Sequence, residues 1–164
     1  MSHHANHEAE EKFWSLIKSI KVAMMTTMDE GMLRSRPMHG QYREEDDTLW
    51  FFTKLSSAKA DEIRDEQEVN LSFADIDDNH FVSVSGRAAL VKDRAMAEKL
   101  WNPFVAAWYP EGLDDPDLVL IRITPEQAEY WDGNSNTVKD LWETIKANVT
   151  GELPDMGENR KVYL

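Results

Sequence analysis

Apolar residues recur at helical spacing at Phe13, Leu16, Ile17 and Ile20, which predicts an amphipathic helix over residues 9–20. Residues 22–28 then read as a strand, and Asp29-Glu30-Gly31 offers a hairpin turn with Gly31 able to take a positive φ. The returning strand covers residues 32–43, and residues 44–47 form a second, acidic turn. Residues 48–53 are apolar on both faces, the pattern of a central strand. These three strands read as an antiparallel meander.

Residues 57–68 follow with helical spacing behind a Ser57 cap and with Ala58, Ala60 and Ile63 as apolar contacts. Residues 69–73 alternate, residues 77–79 turn, and residues 81–91 extend, with Gly86 marking a bulge or a bend. Asp93 caps a helix that reaches about Trp101. Residues 103–116 read as a packed loop because they carry Phe104, Trp108 and Tyr109. Residues 118–123 form the last strong strand, extended through residues 129–131. Thr137 and Asp140 open a final helix whose apolar face is Val138, Leu141, Trp142, Ile145 and Val149, ended by Gly151.

This order of elements predicts an α+β chain that is mainly β. Six or seven short antiparallel strands would form a small barrel with peripheral helices. A barrel removes exposed sheet edges and needs bends, which Gly31, Gly40 and Gly86 can supply. The domain is expected over residues 9–150, between a disordered tail at residues 1–8 and a polar tail at residues 151–164.

Composition narrows the function. The net charge of −13 argues against nucleic acid and anionic membrane as partners. No apolar run is long enough for a membrane span, and the polar start does not read as a secretory signal. The absence of cysteine excludes disulfides, thiolate metal sites and cysteine nucleophiles. A cytoplasmic protein is the expectation. No nucleophile elbow, P-loop or G-x-G-x-x-G occurs, His39 and His80 stand apart, and Asp75, Asp77 and Asp78 read as a turn. No metal site is expected.

Against this acidic background, Arg34 and Arg36 sit at period-two spacing on one strand, and Lys59 lies in the first turn of the helix capped by Ser57. A cation is disfavoured in a first helical turn unless an anion offsets it, and helix N-termini bind phosphate through unpaired N–H groups. Arg36 adds a bidentate fork, and Pro37 implies a strand edge where a ligand can meet the backbone. Phe52 and Thr53 would give a flat wall and a hydrogen bond. The alternative is that these cations are surface charges paired with the many carboxylates.

The segments Arg36-Pro37-Met38, Phe52-Thr53-Lys54-Leu55-Ser56-Ser57-Ala58-Lys59 and Glu129-Tyr130-Trp131-Asp132-Gly133 resemble flavin-binding segments of the pyridoxamine 5'-phosphate oxidase-like split-barrel superfamily. The nearer resemblance is to its branch of FMN-binding general stress proteins. That resemblance implies a split β-barrel homodimer with FMN, or FAD, in the clefts between subunits. By motif position Arg36 and Lys59 would hold the phosphate with help from Ser57, and Arg34 would be a bystander. Pro37, Met38, Phe52 and Thr53 would border the isoalloxazine, and Trp131 would approach it from the other subunit.

The departures from the oxidase also matter. It carries an arginine and a histidine for its phosphorylated substrate where this chain has Asn134, Ser135, Asn136 and Thr137. Gln41 replaces a lysine, and Ala58 replaces a second arginine. Oxidation of pyridoxamine phosphate is therefore not expected. The resemblance implies a flavin-dependent oxidoreductase on a small molecule, with NAD(P)H as electron donor. The alternatives are a flavin-binding sensor or store without turnover, and a different ligand such as deazaflavin or haem.

Overall fold

The computed structural model describes residues 3–133 and 158–164 of the chain. The helix expected from Thr137 lies outside these residues. The first helix, α1 (His3–Ile20), begins well before residue 9, so the predicted N-terminal tail is in large part its first turns. It buries Ala9, Phe13, Trp14, Leu16 and Ile17 in the main core. Lys21 ends it in the left-handed region at φ 71°, and its carbonyl accepts the Tyr42 hydroxyl at 2.5 Å.

The strands are β1 (Val22–Asp29), β2 (Met32–His39), β3 (Gln41–Arg43), β4 (Thr48–Lys54), β5 (Glu68–Asp75), β6 (His80–Val91), β7 (Leu118–Asp132) and β8 (Glu158–Tyr163). Glu30 and Gly31, both at positive φ, join β1 to β2 as a two-residue hairpin loop. All pairing is antiparallel, in the order β2-β1-β5-β6-β7-β4-β3, with β8 on β7. The expected meander is kept in its pairing, since residues 32–43 pair with β1 through β2 and with β4 through β3, and β1 also pairs with β5 on its other edge.

The predicted strand over residues 32–43 is two strands separated by Gly40. Its halves form opposite ends of the strand order, so one chain segment closes the sheet on itself. A side chain at Gly40 would meet the rings of Tyr42 and Phe51 at 2.5 and 2.6 Å, which only glycine avoids. The second bend is at Gly86, where the β6–β7 register shifts and an added Cβ would lie 2.4 Å from the Thr124 carbonyl oxygen.

Strand β7 serves two partners in succession along one edge. Residues 118–123 pair with β4, and residues 127–132 pair with β8. The polar C-terminal tail is thus corrected: its end is a strand that buries Val162. A strand with a single inward apolar residue is weakly marked in sequence, and its register comes from β7.

Helix α2 (Ala58–Asp65) starts at Ser57, whose hydroxyl accepts the Ala60 N–H at 3.3 Å. Helix α3 (Arg94–Leu100) is capped by Asp93 as expected. The predicted packed loop is corrected to α4 (Pro103–Trp108), capped by Asn102 with proline in its first turn. Only Val105 of that helix is buried, and Trp108 is 69% exposed. A second cluster of Trp50, Ala97, Leu100 and Leu120 packs α3 on the outer face of the sheet. No helix among the described residues is long and apolar enough to cross a membrane.

Candidate functional site

Side chains of helix α2 reach three strands, β4 from its first turn and β2 and β1 from the next. Lys59 in its first turn donates to Thr53 Oγ1 of β4 at 3.3 Å, and that hydroxyl lies 3.2 Å from Ser57 Oγ. One turn later, Glu62 reaches β2 and β1. Its carboxylate accepts from Arg36 Nη2 at 2.6 Å, from Arg34 Nη1 at 3.3 Å, and from the Thr27 hydroxyl. Arg36 Nη1 also donates to Thr27 Oγ1.

The exposure of these groups is uneven. The Glu62 side chain is 5% exposed and Arg36 18%, while Arg34 is half exposed and also pairs with Asp29 at 3.1 Å. Counting Arg34, Arg36 and Lys59 against Glu62 and Asp29 leaves the cluster one positive charge in a strongly acidic chain. Burial depresses the Lys59 ammonium below its ordinary proton affinity. The positive charge of Arg36 depresses it further, and Glu62 partly offsets both. Lys59 and Glu62 stand one turn apart on α2, and Glu62 holds Arg36 at 2.6 Å, so both cations are gathered at the start of this helix.

Thr53, Ser57 and Lys59 are thus linked directly, and Arg36 joins them through Glu62 of the same helix. Met38 shares the inward face of β2 with Arg36 and packs on the main core, while Pro37 is exposed on the other face of this edge strand. Phe52 is not beside Thr53. Alternation along β4 turns it to the outer face, edge-on to Trp101 at 5.7 Å and tilted against Tyr109 at 6.1 Å. Burial there pushes the Tyr109 hydroxyl up to about 12.

Trp131 also stands outside the cation cluster of its own chain. It pairs with Phe81 and, with Val22 and Met24, lines an outward apolar groove of about 560 Å³. These four side chains are 37–45% exposed.

Arg34, expected to be a bystander, is joined to the cluster through Glu62 at 3.3 Å. Gln41 donates to the Leu100 carbonyl at 2.6 Å and ties β3 to α3. Sequence reasoning missed Glu62 and Thr27. The signal for Glu62 was its place beside Ile63 on the buried side of α2, where a carboxylate needs a cation. Among the described residues, Asp75, Asp78 and His80 bring ligand atoms within 4.8 Å of one another. Asp75 there accepts the Asp78 N–H, and His80 pairs with Asp132 at 2.8 Å.

Residues 8–155 match the model of the family described as pyridoxamine 5'-phosphate oxidase like. This chain belongs to that family. Within it, the chain lies in the general stress protein 26 branch. General stress protein 26 of Bacillus subtilis is 25% identical over 82% of this chain and 96% of its own length. Protein bli-3 of Neurospora crassa is 30% identical over 90% of this chain and 76% of its own. Among solved structures, the general stress FMN/FAD binding protein of Xanthomonas citri is 35% identical, with a TM-score of 0.67 over 77% of this chain and 89% of that one. The fold expectation, an antiparallel split barrel with few helices, agrees with this membership. Among the described residues eight strands are present, where six or seven were expected.

Proposed function

We propose that this chain is a flavoprotein that holds FMN by its phosphate at the amino terminus of α2 and works as a homodimer. The observation that carries this reading is the convergence of Arg36 and Lys59. Two like charges, each largely or partly withdrawn from water, stay near one another beside the first turn of a helix. Such a pair is stabilised by an anion of two charges, and a flavin phosphate supplies one. The donor set fits that group. Lys59 is a point charge, Ser57 and Thr53 are hydroxyls, and Arg36 commits two of its five N–H groups to Glu62 and Thr27. The printed name of the Xanthomonas citri relative, FMN/FAD binding, supports the same ligand and keeps FAD as a variant of it.

The dimer reading draws on the outward face of β1, β5, β6 and β7. Val22, Met24, Phe81 and Trp131 together expose an apolar patch that a second copy would cover. Trp131 would then serve the site of the other chain, and Pro37 and Met38 would border the ring through their backbone. Phe52 would support that wall from behind rather than face the flavin. When bound, the flavin supplies hydride or electron transfer between NAD(P)H and a small acceptor, while the protein binds, orients and excludes water.

The second reading, binding without turnover, is favoured by the lack of a cation at Asn134, Ser135, Asn136 and Thr137, where the oxidase holds its phosphorylated substrate. Steady-state NAD(P)H oxidation separates the two: a rate above that of free FMN rejects pure binding. The ligand itself is tested by fluorescence titration with FMN and riboflavin. Lys59→Ala should weaken FMN about tenfold and leave riboflavin unchanged. A protein that folds but never quenches FMN would overturn the reading.

A further inference from the structure

The element the proposed flavin site does not account for is Glu62, a carboxylate with a 5% exposed side chain inside a cation cluster meant for an anion. A buried carboxylate beside a phosphate site repels the ligand, so its presence needs a compensating role. Its contacts suggest one. It collects Arg36 and Arg34 of β2 and the Thr27 hydroxyl of β1, while its own helix carries Lys59 one turn earlier. Arg36 and Lys59 repel each other across the gap between β2 and α2. Without an intervening anion the flexible Arg36 side chain would swing away to solvent, at a cost to any ligand that needed it back.

We propose that Glu62 is a positioning residue for the flavin phosphate, holding the Arg36 guanidinium against the repulsion of Lys59 so that both cations meet the anion together. The proposal rests on the FMN reading above. Its physical content is a trade. Glu62 repels the phosphate directly, and it helps the phosphate through Arg36. With Arg36 present the second effect wins, since a charge-assisted hydrogen bond held in place outweighs a repulsion partly neutralised by Arg34 and Thr27. With Arg36 removed, only the repulsion remains.

The sign of the Glu62 effect should therefore reverse between backgrounds. FMN and riboflavin affinities are measured at pH 7 for the wild type, Glu62→Gln, Arg36→Ala and the double variant, with a thermal melt of each. Glu62→Gln should weaken FMN about tenfold in the wild-type background and tighten it about threefold in the Arg36→Ala background, with riboflavin unchanged in both. Glu62→Asp keeps the charge and shortens the reach, so it should weaken FMN in the wild type without tightening it in Arg36→Ala. Weaker FMN binding in both backgrounds, an equal loss of riboflavin, or no change from Glu62→Gln in the wild type would each overturn the positioning role. A stable wild-type protein that binds no FMN overturns the flavin reading and this one with it, and the wild-type titration alone identifies that outcome.

Discussion

Adjacent residues on β4 live in different chemistry. Phe52 faces outward into Trp101 and Tyr109, and Thr53 faces inward toward Lys59 and Ser57. Two positions earlier on the outer face is Trp50 in the α3 cluster, and two earlier on the inner face is Phe51 in the barrel core. One strand thus separates an aromatic support from a cation site. The backbone of both residues is paired to β7, and β3 pairs β4 just before them, at residues 48–50. The difference teaches that the polar end of the inner face is affordable only because both faces beside it are tightly packed, leaving few ways for Lys59 to escape its partly dry position.

The contrast can be broken most severely from the inner core. Phe51→Ala should cost about 3–5 kcal/mol of stability, because it removes a 1% exposed ring that packs on Tyr42. Chemical denaturation should show the loss as a lower midpoint, and the FMN-to-riboflavin affinity ratio of the molecules that remain folded should not change. Gly40→Ala attacks the same inner layer by crowding, and about 1–3 kcal/mol is expected from the clash with the Tyr42 and Phe51 rings.

On the outer face, Phe52→Ala should cost about 1–2 kcal/mol, since that ring is only partly buried. FMN and riboflavin carry the same ring, so a Phe52 that serves the ring wall should weaken both together when removed. A loss confined to FMN would refute that assignment. Thr53→Val then sharpens the inner face, since it keeps shape and removes the hydroxyl under Lys59. It should weaken FMN a few-fold, about 0.5–1 kcal/mol, and spare riboflavin.

The smallest effect is one of pH. The Lys59 proton affinity is depressed below the ordinary lysine value of 10.5 by burial and by Arg36. A bound phosphate restores it, so the complex holds more protons than the free protein, and affinity must fall as pH rises through the depressed value. FMN titrations in the alkaline range should show that fall starting earlier than an exposed lysine would, and riboflavin should stay flat.

Much of the site was legible in sequence. Arg36, Thr53, Ser57 and Lys59 could be grouped because a lysine in the first turn of a capped helix asks for an anion, and the helix follows its strand directly. The side that Phe52 takes was open to period-two counting, yet a run of apolar residues from Leu49 to Phe52 hides which face is which. Glu62 was invisible as a partner of Arg36. The two residues stand far apart in the chain, and only the closure of the sheet and the docking of α2 bring them to 2.6 Å. Strand β8 and the first turns of α1 were missed for a related reason, as each has few apolar positions of its own.

By itself the sequence determined the strands and helices with strong apolar patterns, the caps at Ser57 and Asp93, the hairpin at Gly31, the bulge or bend at Gly86 and the family. These depend on local propensity, on backbone freedom and on residues near one another in the chain. Only the tertiary structure decided that Gly40 divides one strand into two ends of a closed sheet, that Phe52 and Thr53 serve opposite faces, and that a buried carboxylate sits among the cations. Those outcomes depend on non-local pairing and burial, where register and closure choose each side chain's neighbours.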